Sequence, residues 1–239
     1  MAEPNELSGL DYFSGGVPTG AFFKLTLGEL QGMASTRRAK RQGKNFLQEL
    51  CFIGLMSYFE AFCKDHFAAL MNIEPALVSN LKHAGQNVEI DGTRVVLYGQ
   101  QVRSRMGFLL AERYDFGTAQ KINSLYGALL NVTPFSKPEV ATYSALLKDR
   151  NLLVHHGGTL TLSYLEQAKS PPKTLLSDAF FNSCVKGKPE VLEAISFLGD
   201  VAQKLIKASH AALLKHIASN GCEYIAGQKQ ALDYLLWWD

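Results

Sequence analysis

Arg150, Asn151 and His155 close an apolar helical pattern in the stretch LLKDRNLLVHHGG, residues 146–158. An imidazole titrates near neutral pH, so a histidine at an accessible helix end can give or take a proton. Gly157 and Gly158 place His155 in the last turn, where the helix dipole favours the protonated ring. On a regular helix Asn151 and His155, four apart, share a face, whereas Arg150 and His155 diverge by about 140°. The three side chains converge only if the helix loosens near its end or if a second copy completes the set. The plainer reading is a helix terminus whose cations complement the dipole, with Asn151 facing solvent.

A mostly helical chain must position these residues. Leu47, Leu50, Cys51, Leu55, Phe59, Phe62 and Cys63 recur at three- and four-residue steps, continued by Phe67 and Leu70. They predict a long helix over about 44–72, buried around most of its circumference. Pro75 starts a short helix over 75–83. Val88 and Ile90, then Val95 and Leu97, flank an Asp91-Gly92 pair and predict a small β-hairpin over about 87–98. Helices are expected over 100–114 and 118–131, separated by Gly117, with Thr118 as an N-cap. The helix carrying the motif starts at Ser136, has Pro138 near its first turn and runs to about 156. A last long helix has Pro189 in its first turn and Gly221 as its stop.

The fold expected is therefore all-α, a helical bundle with a small inserted β-hairpin. Residues 1–43 read as an irregular, glycine-rich N-terminal arm and 44–220 as one helical domain. Residues 221–239, which include ALDYLLWWD, read as an apolar tail packed on the domain or on a partner.

Apolar residues make up 47% of the 239 and charged residues 19%, an ordinary globular balance. A net charge of +2 does not mark a nucleic-acid binder, so a polyanion would have to meet a local patch. The run STRRAKRQGK offers one: Arg37, Arg38, Lys40, Arg41 and Lys44, with no acid between Glu29 and Glu49. It is either a phosphate-gripping surface or a solvated basic helix start. No aromatic residues interleave it, which speaks against base stacking there.

Cys51, Cys63, Cys184 and Cys222 lie far apart and form no C-x-x-C pair, so they read as reduced thiols of a cytoplasmic protein. The first residues form neither a basic start nor an apolar stretch. The run CFIGLMSYF ends at Glu60, short of the roughly 20 residues that span a bilayer, so no membrane association is expected. No Walker loop, metal-ligand cluster or Gly-x-Ser-x-Gly is present, and no metal or other cofactor is expected.

The stretch RNLLVH, 150–155, resembles the arginine–polar–x3–histidine motif of the HEPN superfamily, all-helical domains that include many ribonucleases. FIGLMSYFEAFCKDHF (52–67) is similar to the second-helix signature of the RiboL-PSP-HEPN branch, an acidic residue amid aromatics. TPFSKPEV…LLKDRNLLVHHGG is similar to that branch's catalytic helix, including the glycines after the histidine. The resemblance covers roughly residues 44–216 and leaves the arm and the YLLWWD tail outside it.

That resemblance implies a HEPN-like bundle that forms a homodimer, with the motifs of both copies lining one cleft, and metal-independent cleavage of RNA. The substrate's own 2′-hydroxyl attacks the adjacent phosphodiester, which makes DNA inert. Carried over by the motif, His155 is the acid–base group and Arg150 the cation whose fork matches two phosphate oxygens. Asn151 orients the histidine or the backbone. Glu60, from the similar second helix, holds Arg150 or assists proton transfer. It could equally be a structural carboxylate neutralised by Lys64 one turn on. His156 is expected to point off the motif face. Such domains often act in phage defence or as toxins, which leaves room for an antitoxin or other regulatory partner. The second reading is a non-catalytic HEPN-like module that dimerises and binds RNA, a nucleotide or protein; the third is a plain helical scaffold.

Overall fold

The structure, a computed structural model, describes residues 7–36, 46–167, 179–221 and 223–238. It is mostly helical: α1 Thr19–Ser35, α2 Phe46–Ile73, α3 Leu77–His83, α4 Gly92–Tyr98, α5 Val102–Ala111, α6 Ala119–Leu130, α7 Lys137–His156, α8 Leu162–Glu166, α9 Lys188–Asn220 and α10 Ala226–Leu235. The basic run Arg37–Lys44 and Cys222 lie outside the described residues.

The central element is α2. Its first half buries one stripe, Cys51, Phe52, Leu55, Met56 and Phe59, while every residue from His66 to Ile73 is buried. A helix enclosed on all sides must be packed from several directions, and α1, α5, α7 and α9 all contact it. Rings carry much of this core: Phe59 sits 6.0 Å from Phe135 and 5.6 Å from Tyr143, and Phe67 lies 5.3 Å from Tyr126. Each fully buried Phe contributes roughly 1.5–3 kcal/mol of transfer free energy. By length and composition alone α2 could cross a membrane, the one such helix among the described residues, and 50% of its most apolar window is buried inside the bundle.

Two expectations are corrected. Residues 92–98 are a helix, not the second strand of a hairpin: Asp91 Oδ1 accepts from Thr93 N at 2.8 Å and caps α4. The aspartate that suits a two-residue hairpin turn also suits an N-cap, and here the cap wins. No strand pairs with Val96 and Leu97, each 80% exposed. Among the described residues the one β feature is an isolated antiparallel bridge between Thr159 and Ser183.

The arm is likewise not irregular throughout, because α1 is a helix of 17 residues. Its glycines masked a stripe of Phe23, Leu27, Leu30 and Ala34, spaced at four, three and four residues and buried against α2 and α9.

The two ends of the chain interlock. Ser8 caps a 3-10 turn at Gly9–Tyr12, and Tyr12 and Phe13 are fully buried. Gly9 N donates to Gln230 Oε1 at 3.2 Å, and a Cβ at Gly227 would collide with the carbonyl of Leu7. Gln228 Nε2 donates to Ile73 O at 2.8 Å. The tail thus packs on its own arm and on the end of α2.

A polar line runs through this core. His66, fully buried, lies 3.0 Å by Nδ1 from Thr19 Oγ1 and 2.7 Å by Nε2 from Ser209 Oγ. Ser209 donates back to Leu205 O at 2.8 Å, so its oxygen accepts from His66 Nε2–H and Thr19 donates to Nδ1. The neutral ring ties α1, α2 and α9 together, and burial pushes its pKa down to about 3.

Candidate functional site

Local chemistry fixes both ends of α7. Ser136 and Glu139 form a capping box, with Ser136 N donating to Glu139 Oε2 at 2.7 Å, and Pro138 sits in the first turn. Burial works against the Glu139 carboxylate, yet hydrogen bonds from Lys204 and Ser136 hold its pKa down at about 2. At the other end Gly157 and Gly158 take φ of 57° and 82°, and Gly158 N returns to Leu152 O at 3.1 Å. This left-handed turn is cheap only for glycine. It sends the chain back along residues 180–184, where Leu160 N donates to Asn182 O at 2.9 Å and Cys184 N to Gly158 O at 2.8 Å.

Beyond the turn, Thr161 Oγ1 accepts from Tyr164 N at 3.2 Å and caps α8. Tyr164 Oη then donates to Asp149 Oδ1 at 2.6 Å, which draws α8 against α7. Between the two helices lies an open cavity of about 300 Å³, lined by Lys148, Asn151, His155, His156, Thr161 and Tyr164 among others.

The helix stays regular through His156 rather than loosening. Asn151 and His155 consequently share one face and one cavity, as their spacing requires, and Lys148 extends the same stripe by one turn. His156 lines this cavity too, against the expectation that it faces away. Arg150 does not line it, but its Nη1 reaches back to donate to Asn151 Oδ1 at 3.0 Å. The guanidinium is therefore joined to the cavity through Asn151.

Glu60 stands apart. It is half-buried on α2, and no ion pair joins it to Arg150 or Lys64 among the described residues. Glu60 and Arg150 both bear on Tyr143, a buried phenol whose pKa burial pushes well up; Cys63 and Glu60 add to the rise and Arg150 opposes it.

The cavity has the electrostatic character of an anion site. Among the described residues its lining includes the Lys148 ammonium and two imidazoles and no carboxylate. Asp149, on α7, is paired with Lys186 Nζ at 2.5 Å. Among the described residues no group of three His, Cys, Asp or Glu side chains could hold a metal ion. Comparison with known proteins finds no family model, no curated protein and no solved structure that matches this chain. The spacing of Lys148 three before Asn151 and seven before His155 would have found the lysine from sequence. Tyr164 and Asp149 meet only through the turn and had no such signal.

Proposed function

We propose that the chain is a metal-independent endoribonuclease of the HEPN type, a cytoplasmic homodimer in which the α7 ends of two copies line one cleft. The observation that carries this reading is the shared cavity of Asn151 and His155, to which Arg150 is tied by its bond to Asn151. In the reaction, the 2′-oxygen of RNA forms a bond to the adjacent phosphorus as the bond to the 5′-oxygen breaks. Protonated His155 gives its proton to the departing 5′-oxygen, and a neutral imidazole, that of His156, accepts the proton of the 2′-hydroxyl. The products are a 2′,3′-cyclic phosphate and a 5′-hydroxyl. Arg150 and Lys148 oppose the charge that builds on the phosphorane. Glu60 acts at a remove from the cavity, through its charge on Tyr143. An enzyme of this kind acts as a toxin or in defence against phage, under a restraining antitoxin or an activating signal.

The deciding experiment incubates the protein with a fluorescent single-stranded RNA in EDTA, beside His155→Ala and a DNA of the same sequence. Cleavage of RNA alone, slowed by about 100-fold or more in the variant, is expected. RNA binding without any cleavage would replace this reading with that of a non-catalytic binding module.

A further inference from the structure

A second cavity lies between the first turns of α1 and the middle of α2. Its volume is about 350 Å³, and Phe22, Phe23, Tyr58 and Phe62 line it together with the carboxylate of Asp65 and the turn at Gly15. That size falls within the range of about 300–1,000 Å³ typical of small-molecule pockets.

Three features set it apart from an ordinary packing gap. First, Asp65 is half-buried and makes no hydrogen bond or ion pair among the described residues. Burial raises its pKa, and Lys64, its neighbour in sequence, only partly offsets this. The Asp65 oxygens keep some contact with water, yet burial still disfavours the charge, and a cation beside it would relieve that cost. Second, the walls are aromatic, and at the mouth Phe22 and Tyr58 remain 53% and 46% exposed. Third, Gly15 and Gly16 at the cavity's edge take φ of 62° and 70°, a left-handed turn where an added Cβ would meet open space. Glycine takes this conformation without the strain a side chain would bring, and adds no side chain to the cavity's edge.

These features select the occupant by chemistry. An anion would meet the Asp65 charge. A divalent metal would find one carboxylate where six or more oxygen ligands are needed. A neutral apolar molecule would leave the carboxylate unpaired. An organic cation answers both demands at once, its ammonium pairing with Asp65 and its apolar body packing on rings that also attract positive charge.

We propose that this cavity is a binding site for a small aromatic or aliphatic amine, with Asp65 as the counter-ion of its ammonium group and Phe22, Phe23, Tyr58 and Phe62 as its walls. The site is separate from the α7 cavity and does not depend on the ribonuclease reading.

Calorimetric titration of the intact protein tests it, with phenethylamine as the probe and 2-phenylethanol as its neutral counterpart. Phenethylamine should bind with a Kd below about 1 mM, and the alcohol about tenfold or more weaker. Asp65→Asn should lose tenfold or more of the amine affinity, a difference of roughly 1.4 kcal/mol, and should melt no lower than the parent protein because it removes an unpaired charge. Phe22→Ala, at the exposed rim, should weaken the amine by roughly three- to tenfold. No binding of phenethylamine up to about 10 mM would overturn the proposal. Equal binding of the alcohol, or undiminished binding by Asp65→Asn, would do the same. If Asp65→Asn fails to fold, the carboxylate is structural and the proposal falls. N-acetyl-lysine amide stands in for a lysine of a protein partner; if it binds more tightly than phenethylamine, the site reads a protein side chain and the small-molecule assignment is wrong.

Discussion

Tyr164 Oη donates to Asp149 Oδ1 at 2.6 Å and ties α8, which lines one side of the α7 cavity, to α7. Asp149 is also the anchor of Lys186, whose ammonium lies 2.5 Å from Oδ2 and 5.0 Å above the ring of Phe52. The side chains of the two charges are only 12% and 18% exposed, so solvent screens them weakly. Asp149→Asn would leave Lys186 without its counter-charge, at a cost of about 1–3 kcal/mol. Tyr164→Phe keeps the ion pair and loses one hydrogen bond to a charged group, about 1–2 kcal/mol. Chemical denaturation should therefore rank the parent above Tyr164→Phe and Tyr164→Phe above Asp149→Asn. A variant as stable as the parent would show that the bond it removes does not hold α8 in place.

Lys148 shares the stripe of Asn151 and His155, yet lies outside the motif that resembles HEPN proteins. If RNA enters this cavity, the ammonium neutralises one phosphate and no proton passes through it. Lys148→Ala should weaken RNA binding several-fold and reduce the salt dependence by roughly 0.7 in the slope of log affinity against log salt. His155→Ala should slow turnover by about 100-fold or more while leaving the slope nearly unchanged. Fluorescence anisotropy across a salt series separates the two.

The long helices were legible because their signals are local and mutually consistent. Thr118 caps α6 through Lys121 N, and Gly157 and Gly221 end α7 and α9 in left-handed turns, as their sequence positions predict. Asp91-Gly92 misled because a hairpin turn and an N-cap use the same residues, and only the absence of a partner strand decides between them. The stripe in α1 was hidden by Gly20, Gly28 and Gly32. Of these, Gly20 has a packing reason, since a Cβ there would strike the carbonyl of Trp237. At the candidate site, Asn151 and His155 follow from helical spacing. Arg150 joins them through a side-chain bond that no periodicity encodes, and the pairing of 158–160 with 182–184 is long-range.

Stability should depend on pH through His66. Its folded pKa of about 3 lies below the ordinary 6.5 of an unfolded chain, so below pH 6.5 the unfolded state takes up a proton that the folded state refuses. The contribution of the neutral ring is complete above pH 6.5 and declines as pH falls toward 3, by about 1.4 kcal/mol per pH unit for this single group. His210, whose pKa burial also lowers while Asp233 opposes the shift, adds to the same trend. Denaturation midpoints at pH 7, 6, 5 and 4 should fall progressively. His66→Gln should start lower and fall less steeply, because it keeps polar atoms near Thr19 and Ser209 but cannot take a proton.

The tightest helix crossing gives the clearest stability test. Gly107 of α5 lies against α2 so closely that a Cβ would overlap the carbonyl of Ala68, and its backbone N–H donates to Asn72 Oδ1 at 2.7 Å. Asn72 is fully buried and spends its amide group on Tyr12 O at 3.1 Å, so one side chain joins α2, α5 and the N-terminal arm. In an open helix, alanine for glycine stabilises by up to about 1 kcal/mol through the unfolded chain. Here the methyl must push α5 off α2 or break the Asn72 bond. That overpacking costs about 1–3 kcal/mol or more and outweighs the propensity gain. Gly107→Ala is therefore expected to be destabilising. Gly127→Ala, in α6 with open space around it, should be neutral or mildly stabilising. Equal melting temperatures for the two variants would show that the α2–α5 crossing yields more easily than its geometry implies.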